Sequence, residues 1–100
     1  GIVDNLERAI PNGMQARIDS KGFESHKRFV WLSNIGNISS DEMLRTFNCG
    51  IGFVIIVEEK NKKKVSKLLK IKKICFHKLG VIKKTSKSKK IIINKLKPWF

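Results

Sequence analysis

Arg45-Thr46-Phe47-Asn48-Cys49-Gly50-Ile51-Gly52 runs straight into Phe53-Val54-Ile55-Ile56-Val57. Residues 50–57 are apolar apart from the two glycines, and Ile51, Val54, Ile55, Ile56 and Val57 are β-branched. A run of this length and composition predicts a strand covered on both faces, as inside an α/β sheet. Gly50 and Gly52 fall on the same face of such a strand and leave its backbone bare. Two readings of that bareness stand: tight packing of a helix or side chain, or approach of a phosphate or ribose to the amides.

Just upstream, Ser39-Ser40-Asp41-Glu42 fits a capping box, with Ser39 as N-cap and Glu42 three residues on. Met43 and Phe47 are four apart and share a helix face. The helix has to stop by Asn48, which places Asn48 and Cys49 at the entrance of the strand, where α/β enzymes place polar site residues. A buried cysteine there reads as a small inert hydrophobe rather than a nucleophile.

The chain has 100 residues and a formal net charge of +14. That length makes one small domain or part of a larger one. Residues 1–57 carry six basic and six acidic side chains, so the charge lies wholly in residues 58–100, with sixteen lysines, no arginine, and only Glu58 and Glu59 as acids. Such asymmetry raises nucleic acid or a membrane surface as a partner. The lack of arginine and the sparse aromatics (Phe76, Trp99, Phe100) argue for a solvated lysine surface instead. Weak, salt-sensitive adsorption to RNA follows from the charge either way.

Cys49 and Cys75 are too few for a disulfide scaffold, and His26 and His77 stand apart from them, so no metal is expected. No apolar stretch reaches membrane-spanning length and no signal-peptide pattern opens the chain, so the expected setting is cytoplasmic.

Periodicity fills in the rest. Ile2 to Ile10 reads as a helix with Ile2, Leu6, Ala9 and Ile10 on one face, ended by Pro11-Asn12-Gly13. Met14 to Asp19 alternates as a half-buried strand. Glu24 to Ile35 reads as a helix with Phe29, Leu32 and Ile35 as its apolar face, Trp31 packed on the flank, and Gly36-Asn37 as its stop. Glu59 to Leu69 reads as an amphipathic helix with Val65, Leu68 and Leu69 facing in. Ile74 to Ile82 reads as one strand bent or bulged at Gly80, Lys83 to Lys90 as a solvated hairpin tip, and Lys90 to Asn94 as a short closing strand. The expected class is α/β (α+β), a mixed sheet with helices packed on it in the order α-β-α-α-β-α-β-β.

With those residues in view, the chain resembles the phosphoribosylformylglycinamidine cyclo-ligase (aminoimidazole ribonucleotide synthetase) family. RTFNCGIG with DEM before it carries the resemblance, supported by GIVDNLERAIP, by FVWLSNIGNISSDEMLRTFNCGIG and by LGVI at 79–82. It covers about residues 1–94, is specific around 37–53, and is loose after 58, where lysines replace the family's usual mixture.

The resemblance implies the fold of that superfamily's C-terminal domain. It implies residues 1–97 as the latter part of this domain, 98–100 as a tail, and an N-terminal ATP-binding and dimer domain absent from these residues. The implied reaction is ATP-dependent conversion of formylglycinamidine ribonucleotide to aminoimidazole ribonucleotide in purine biosynthesis. ATP and Mg²⁺ would be held mainly by the absent domain, in a homodimer, with no specific nucleic acid and no membrane as partner. A fragment of this kind is expected to be inactive alone, with strand 50–57 lacking its covers and the isolated chain loosely packed or aggregating.

The candidate substrate- or phosphate-binding residues are Gly1, Thr46, Asn48 and Gly50. Gly1 stands where the family has the last glycine of a Gly-rich turn, and with the Ile2 and Val3 amides it would form an anion site at a helix N-terminus. Thr46 and Asn48 could hydrogen-bond a ribose or phosphate, with Gly50 leaving room. Helix capping or loop closure is the competing reading of each. Asp4 reads as a first-turn helix residue rather than a metal ligand, and no catalytic base is assigned. The alternatives are a lysine-rich RNA-binding module, or another enzyme of the superfamily such as formylglycinamidine ribonucleotide synthetase or a selenophosphate-synthetase-like protein.

Overall fold

A computed structural model describes residues 1–19 and 27–94. The start of the 24–35 helix and the tail at 98–100 lie outside the described residues. The elements run α1 (Ile2–Ala9), β1 (Met14–Asp19), α2 (Lys27–Gly36), α3 (Ser40–Thr46), a 3₁₀ turn (Glu59–Asn61), α4 (Lys62–Ile71), β2 (Gly80–Lys84) and β3 (Ile91–Asn94). The sheet is three-stranded and mixed, in the order β2-β1-β3. β1 pairs antiparallel with β2 and parallel with β3, with Ile18 opposite Gly80 and Ile93. The class is α/β with helices on a mixed sheet, as the periodicity implied.

The core forms where α1 and α3 meet the sheet. Ile2, Val3, Leu6 and Ile10 of the first segment join Ala16, Ile18, Met43, Leu44, Cys49 and Ile91. Val3, not Ala9, completes the buried stripe of α1, so the stripe is rotated by one residue from its expected place. α3 begins at its expected N-cap: the Ser39 hydroxyl accepts the Glu42 amide at 3.3 Å, while the Glu42 carboxylate turns forward to the Thr46 hydroxyl instead of closing the box. α2 ends at Gly36, and Asn37 takes a left-handed φ of +51°. The Ser33 hydroxyl, fully buried, then donates to the Ile38 carbonyl at 2.7 Å, and the Ile38 amide returns to the Ser33 carbonyl at 2.9 Å. Ser33→Ala is expected to cost about 1 kcal/mol, read as a lower urea midpoint at unchanged slope.

Further expectations are corrected. The expected strand 50–57 pairs with no other described strand: Ile51 packs partly buried against the core and residues 52–57 lie exposed, because a strand exists only where another backbone takes its hydrogen bonds. The 74–82 strand is shorter, starting at Gly80, with 74–79 outside the sheet. Lys83 to Lys90 is no hairpin tip, because β1 lies between β2 and β3. The connection instead crosses the end of β1. The Thr85 amide reaches the Gly13 carbonyl at 2.9 Å and the Ala16 amide reaches the Lys90 carbonyl at 2.7 Å. That crossing covers Gln15, whose polar side chain is buried against the simple alternation of β1, and the Gln15 amide donates to the Lys89 carbonyl at 2.9 Å. Leu68 of α4 faces out rather than in. Trp31 and Ile35 of α2 do likewise, while Phe29 and Leu32 pack on the core.

Candidate functional site

Gly1 lies where the start of α1 meets the end of α3, and Thr46, Asn48 and Gly50 lie at that end of α3 and in the turn after it. Gly1 caps α1, and a Cβ there would fall on the Arg45 carbonyl, with the Leu44 carbonyl oxygen 2.7 Å away. Only glycine lets the two helix ends approach this closely. The Ile2 amide donates to the Phe47 carbonyl at 3.3 Å and the Asn5 amide to the Gly1 carbonyl at 3.2 Å. The first free amide of α1 is therefore committed to the α3 terminus, which narrows the anion site expected there. Arg45 clamps the same junction from outside, 3.7 Å from Asp4 and 3.3 Å from Asp41. Asp4 thus sits in the first turn of α1 as an ion-pair partner.

Beyond Thr46 the chain turns sharply. The Ile51 amide donates to the Asn48 carbonyl at 3.0 Å, and the two residues between, Cys49 and Gly50, take φ of +52° and +95°. Two positive φ values under an i to i+3 bond are what a tight primed turn requires. Glycine meets that demand at Gly50 without strain. Cys49 meets it at a cost of about 1–2 kcal/mol. The cost is offset because its side chain is buried, with the thiol directed at the Met43 and Phe47 carbonyls at 3.7 and 3.9 Å. Such strain is a mark of sites whose surroundings hold them in place. The left-handed Cys49 is the feature that sequence reasoning missed. Its signal was the Asn-Cys-Gly triplet, which reads as a turn when an apolar run is not made to begin at Gly50.

The turn sets Asn48 and Gly50 at the surface beside Thr46. The Thr46 hydroxyl donates to the Glu42 carboxylate at 3.1 Å, and the Asn48 side chain makes no hydrogen bond with another described residue. At Gly52 a Cβ would meet nothing within 4 Å. The backbone at Gly52 is open, not packed by a helix, and Gly50 lies in the turn rather than on a shared strand face. Two open clefts lie elsewhere, one from Asn12 to Met14 with Lys84 to Ser86, the other between α1 and residues 88–90, and neither includes a candidate residue.

Burial pushes the Cys49 thiol up, from 9.0 to about 11. The unfolded chain therefore loses this proton first as pH rises. Folding stability falls between pH 9 and about 11, by about 2–3 kcal/mol in total. Below pH 9 the contribution is constant. Urea melts across that window should slope less in Cys49→Ala than in the parent chain. At pH near 8 an alkylating agent should modify the exposed Cys75 and spare Cys49 until the chain is unfolded.

The donor set does not by itself make an ATP–Mg²⁺ site. Among the described residues no three His, Cys, Asp or Glu side chains gather to hold a metal ion. Of the carboxylates at the junction, Asp4 and Asp41 are turned to Arg45 and Glu42 accepts the Thr46 hydroxyl. No described helix is long and apolar enough to cross a membrane.

Comparison with known proteins fits this geometry. The family model described as AIR synthase related protein, C-terminal domain, matches residues 1–93, which include the whole junction. The chain is 42% identical over 83 residues to a phosphoribosylformylglycinamidine cyclo-ligase of Neisseria meningitidis serogroup C, covering 83% of this chain and 24% of that protein. It is 40% identical over 84 residues to the protein of the same name from Staphylococcus aureus strain MSSA476, covering 84% of this chain and 25% of that one. It is 46% identical over 65 residues to a bifunctional purine biosynthetic protein of Saccharomyces cerevisiae, covering 65% of this chain and 8% of that one. The chain spans about a quarter of the length of the cyclo-ligases it matches. By its match across residues 1–93, the chain belongs to the family of AIR synthase related protein C-terminal domains.

Proposed function

We propose that this chain serves as part of an ATP-dependent cyclo-ligase that converts formylglycinamidine ribonucleotide to aminoimidazole ribonucleotide in purine biosynthesis. The observation that carries the reading is the 42% identity to a protein bearing that name, within a family match that takes in the α1–α3 junction. The setting is a cytoplasmic homodimer. ATP and Mg²⁺ are bound mainly by polypeptide beyond residues 1–97. Residues 98–100 act as a tail. The hundred residues alone are inactive.

Within this reading the junction binds substrate. Asn48 offers its amide, Thr46 its hydroxyl once released from Glu42, and the open backbone at Gly50 lets a ribose or phosphate come close. Gly1 keeps α1 seated on α3 so that the turn is presented in one place. These groups position and hydrogen-bond an anionic ligand, the demand that phosphoryl transfer places on a protein.

The test is to read the coding DNA beyond both ends, express the longest continuous frame, and assay it with formylglycinamidine ribonucleotide and ATP. Ring closure is expected, and Asn48→Ala should raise KM about tenfold or more while leaving the melting temperature within about 2 °C. Turnover only with the substrate of formylglycinamidine ribonucleotide synthetase would move the assignment to that enzyme.

One observation favours a lysine-rich RNA-binding module instead: Lys62, Lys63, Lys64, Lys67 and Lys70 of α4 are all exposed. RNA binding titrated against salt decides it. Loss of binding by about 0.2 M salt without sequence preference is what plain adsorption gives, and retained, sequence-dependent affinity would establish the module.

A further inference from the structure

We infer that Glu42 sets the specificity of the proposed substrate site: with Thr46 and Asn48 it takes the hydrogen-bond donors of the ribonucleotide, its ribose hydroxyls or its amidine nitrogens, and turns away the phosphate. The inference rests on the proposed function for the ligand being a ribonucleotide. The Thr46 hydroxyl and the Glu42 carboxylate stand 3.1 Å apart. An ionised carboxylate only accepts, so the proton between them belongs to Thr46. The Thr46 oxygen keeps its lone pairs and faces a ligand as an acceptor, without leaving Glu42.

The surroundings carry the same sign. A closed capping box would turn the Glu42 carboxylate back to the Ser39 amide, but it points forward, to the last residue of α3. Glu42 makes no ion pair with another described residue, so its charge is not neutralised locally. Arg45, the cation of the same helix, is taken by Asp4 and Asp41. The end of α3 adds carbonyl oxygens, the negative end of a helix. The Ile2 amide, a donor suited to an anion, goes to the Phe47 carbonyl at 3.3 Å. A phosphate monoester carries close to two negative charges and oxygens that accept, so this surface repels it and offers it few donors. A hydroxyl or an amidine N–H meets acceptors on Glu42 and Thr46 together. The exposed Asn48 amide, which both donates and accepts, completes the contact. The ribonucleotide therefore presents its donor side here and its phosphate elsewhere.

The test follows the amide and side-chain NMR signals of the labelled full chain while methyl riboside, acetamidinium or inorganic phosphate is added at matched ionic strength. Methyl riboside or acetamidinium is expected to shift Thr46, Asn48 and Gly50, and which of the two does so tells hydroxyl from amidine. A riboside stripped of both ring hydroxyls should lose the hydroxyl response. Phosphate should shift the lysine-rich residues beyond 58 and leave 46–50 in place. Glu42→Gln keeps an oxygen for the Thr46 proton but removes the charge. It should weaken the donor probe about tenfold and let phosphate shift 46–50, with circular dichroism unchanged. Thr46→Val should weaken the donor probe likewise, and Thr46→Ser should keep it. In the longest continuous frame, Glu42→Gln should raise KM about tenfold and leave kcat nearly unchanged. Phosphate shifting 46–50 in the parent chain, no shift there with either donor probe, or a Glu42→Gln chain that responds like the parent would each overturn the inference. A chain that takes the donor probe, in a frame that fails to close the ring, upholds the specificity and overturns the proposed reaction. Ring closure by an enzyme whose residues 46–50 answer only to phosphate does the reverse.

Discussion

Met43→Ala is expected to lower the unfolding free energy by about 2–5 kcal/mol, a large share of the 5–15 kcal/mol typical of a domain. Met43 is fully buried, a member of the core cluster that includes Ile2 and Leu6 of α1 and Ala16 and Ile18 of β1. Its backbone is already engaged: its amide donates to the Ser39 carbonyl at 2.9 Å, and its carbonyl accepts the Phe47 amide at 2.8 Å and the Cys49 thiol at 3.7 Å. Truncation therefore leaves the main-chain bonds of α3 in place and removes only packing. The loss combines transfer free energy with a cavity that α1 and α3 cannot close while Gly1 and Arg45 hold their ends together. Met43→Leu, similar in volume, should cost less than about 1.5 kcal/mol. Arg45→Ala removes two ion pairs from a half-exposed clamp and should cost at most about 1 kcal/mol, less at high salt. Urea melts of the three variants check the order, and Arg45→Ala matching Met43→Ala would place the junction's stability in charge rather than in packing.

The parts of the fold that the sequence made legible are those whose cause is local. The Ser39–Glu42 box fixes the start of α3 within four residues, and the alternation of Met14 to Asp19 marks a strand whatever it pairs with. The turn at 48–51, the burial of Gln15 and the exposure of 52–57 have non-local causes. Gln15 is buried because a loop seventy-four positions away crosses it. The 51–57 run carries every local mark of an inner strand, but pairing is a property of two backbones, and no described strand lies beside it. The candidate site divides in the same way. Asn48 and Thr46 were visible as polar residues ahead of an apolar run. That Gly1 reaches the Leu44 and Arg45 carbonyls depends on α1 folding back onto α3, which no spacing between residues 1 and 46 encodes.

Gly80→Ala is the second large effect, expected to cost about 3 kcal/mol or more. A Cβ at Gly80 would fall on the Arg17 carbonyl oxygen and stand 2.9 Å from the Arg17 carbonyl carbon and the Ile18 Cα. All three are main-chain atoms of β1, the strand that holds both of its neighbours, so no side-chain rotation relieves the clash. β2 would have to lift from β1 at the Ile18–Gly80 pair, next to the bond from the Asp19 amide to the Leu79 carbonyl at 3.1 Å. Two other glycines separate this cause from the rest. Gly13→Ala meets no atom within 4 Å but sits at φ +82°, so it should cost only the left-handed penalty of about 1–2 kcal/mol. Gly52→Ala meets neither obstacle in the isolated chain and should be neutral or stabilise by about 0.4–1 kcal/mol through the unfolded state. Thermal melting of the three variants checks the order Gly80, Gly13, Gly52.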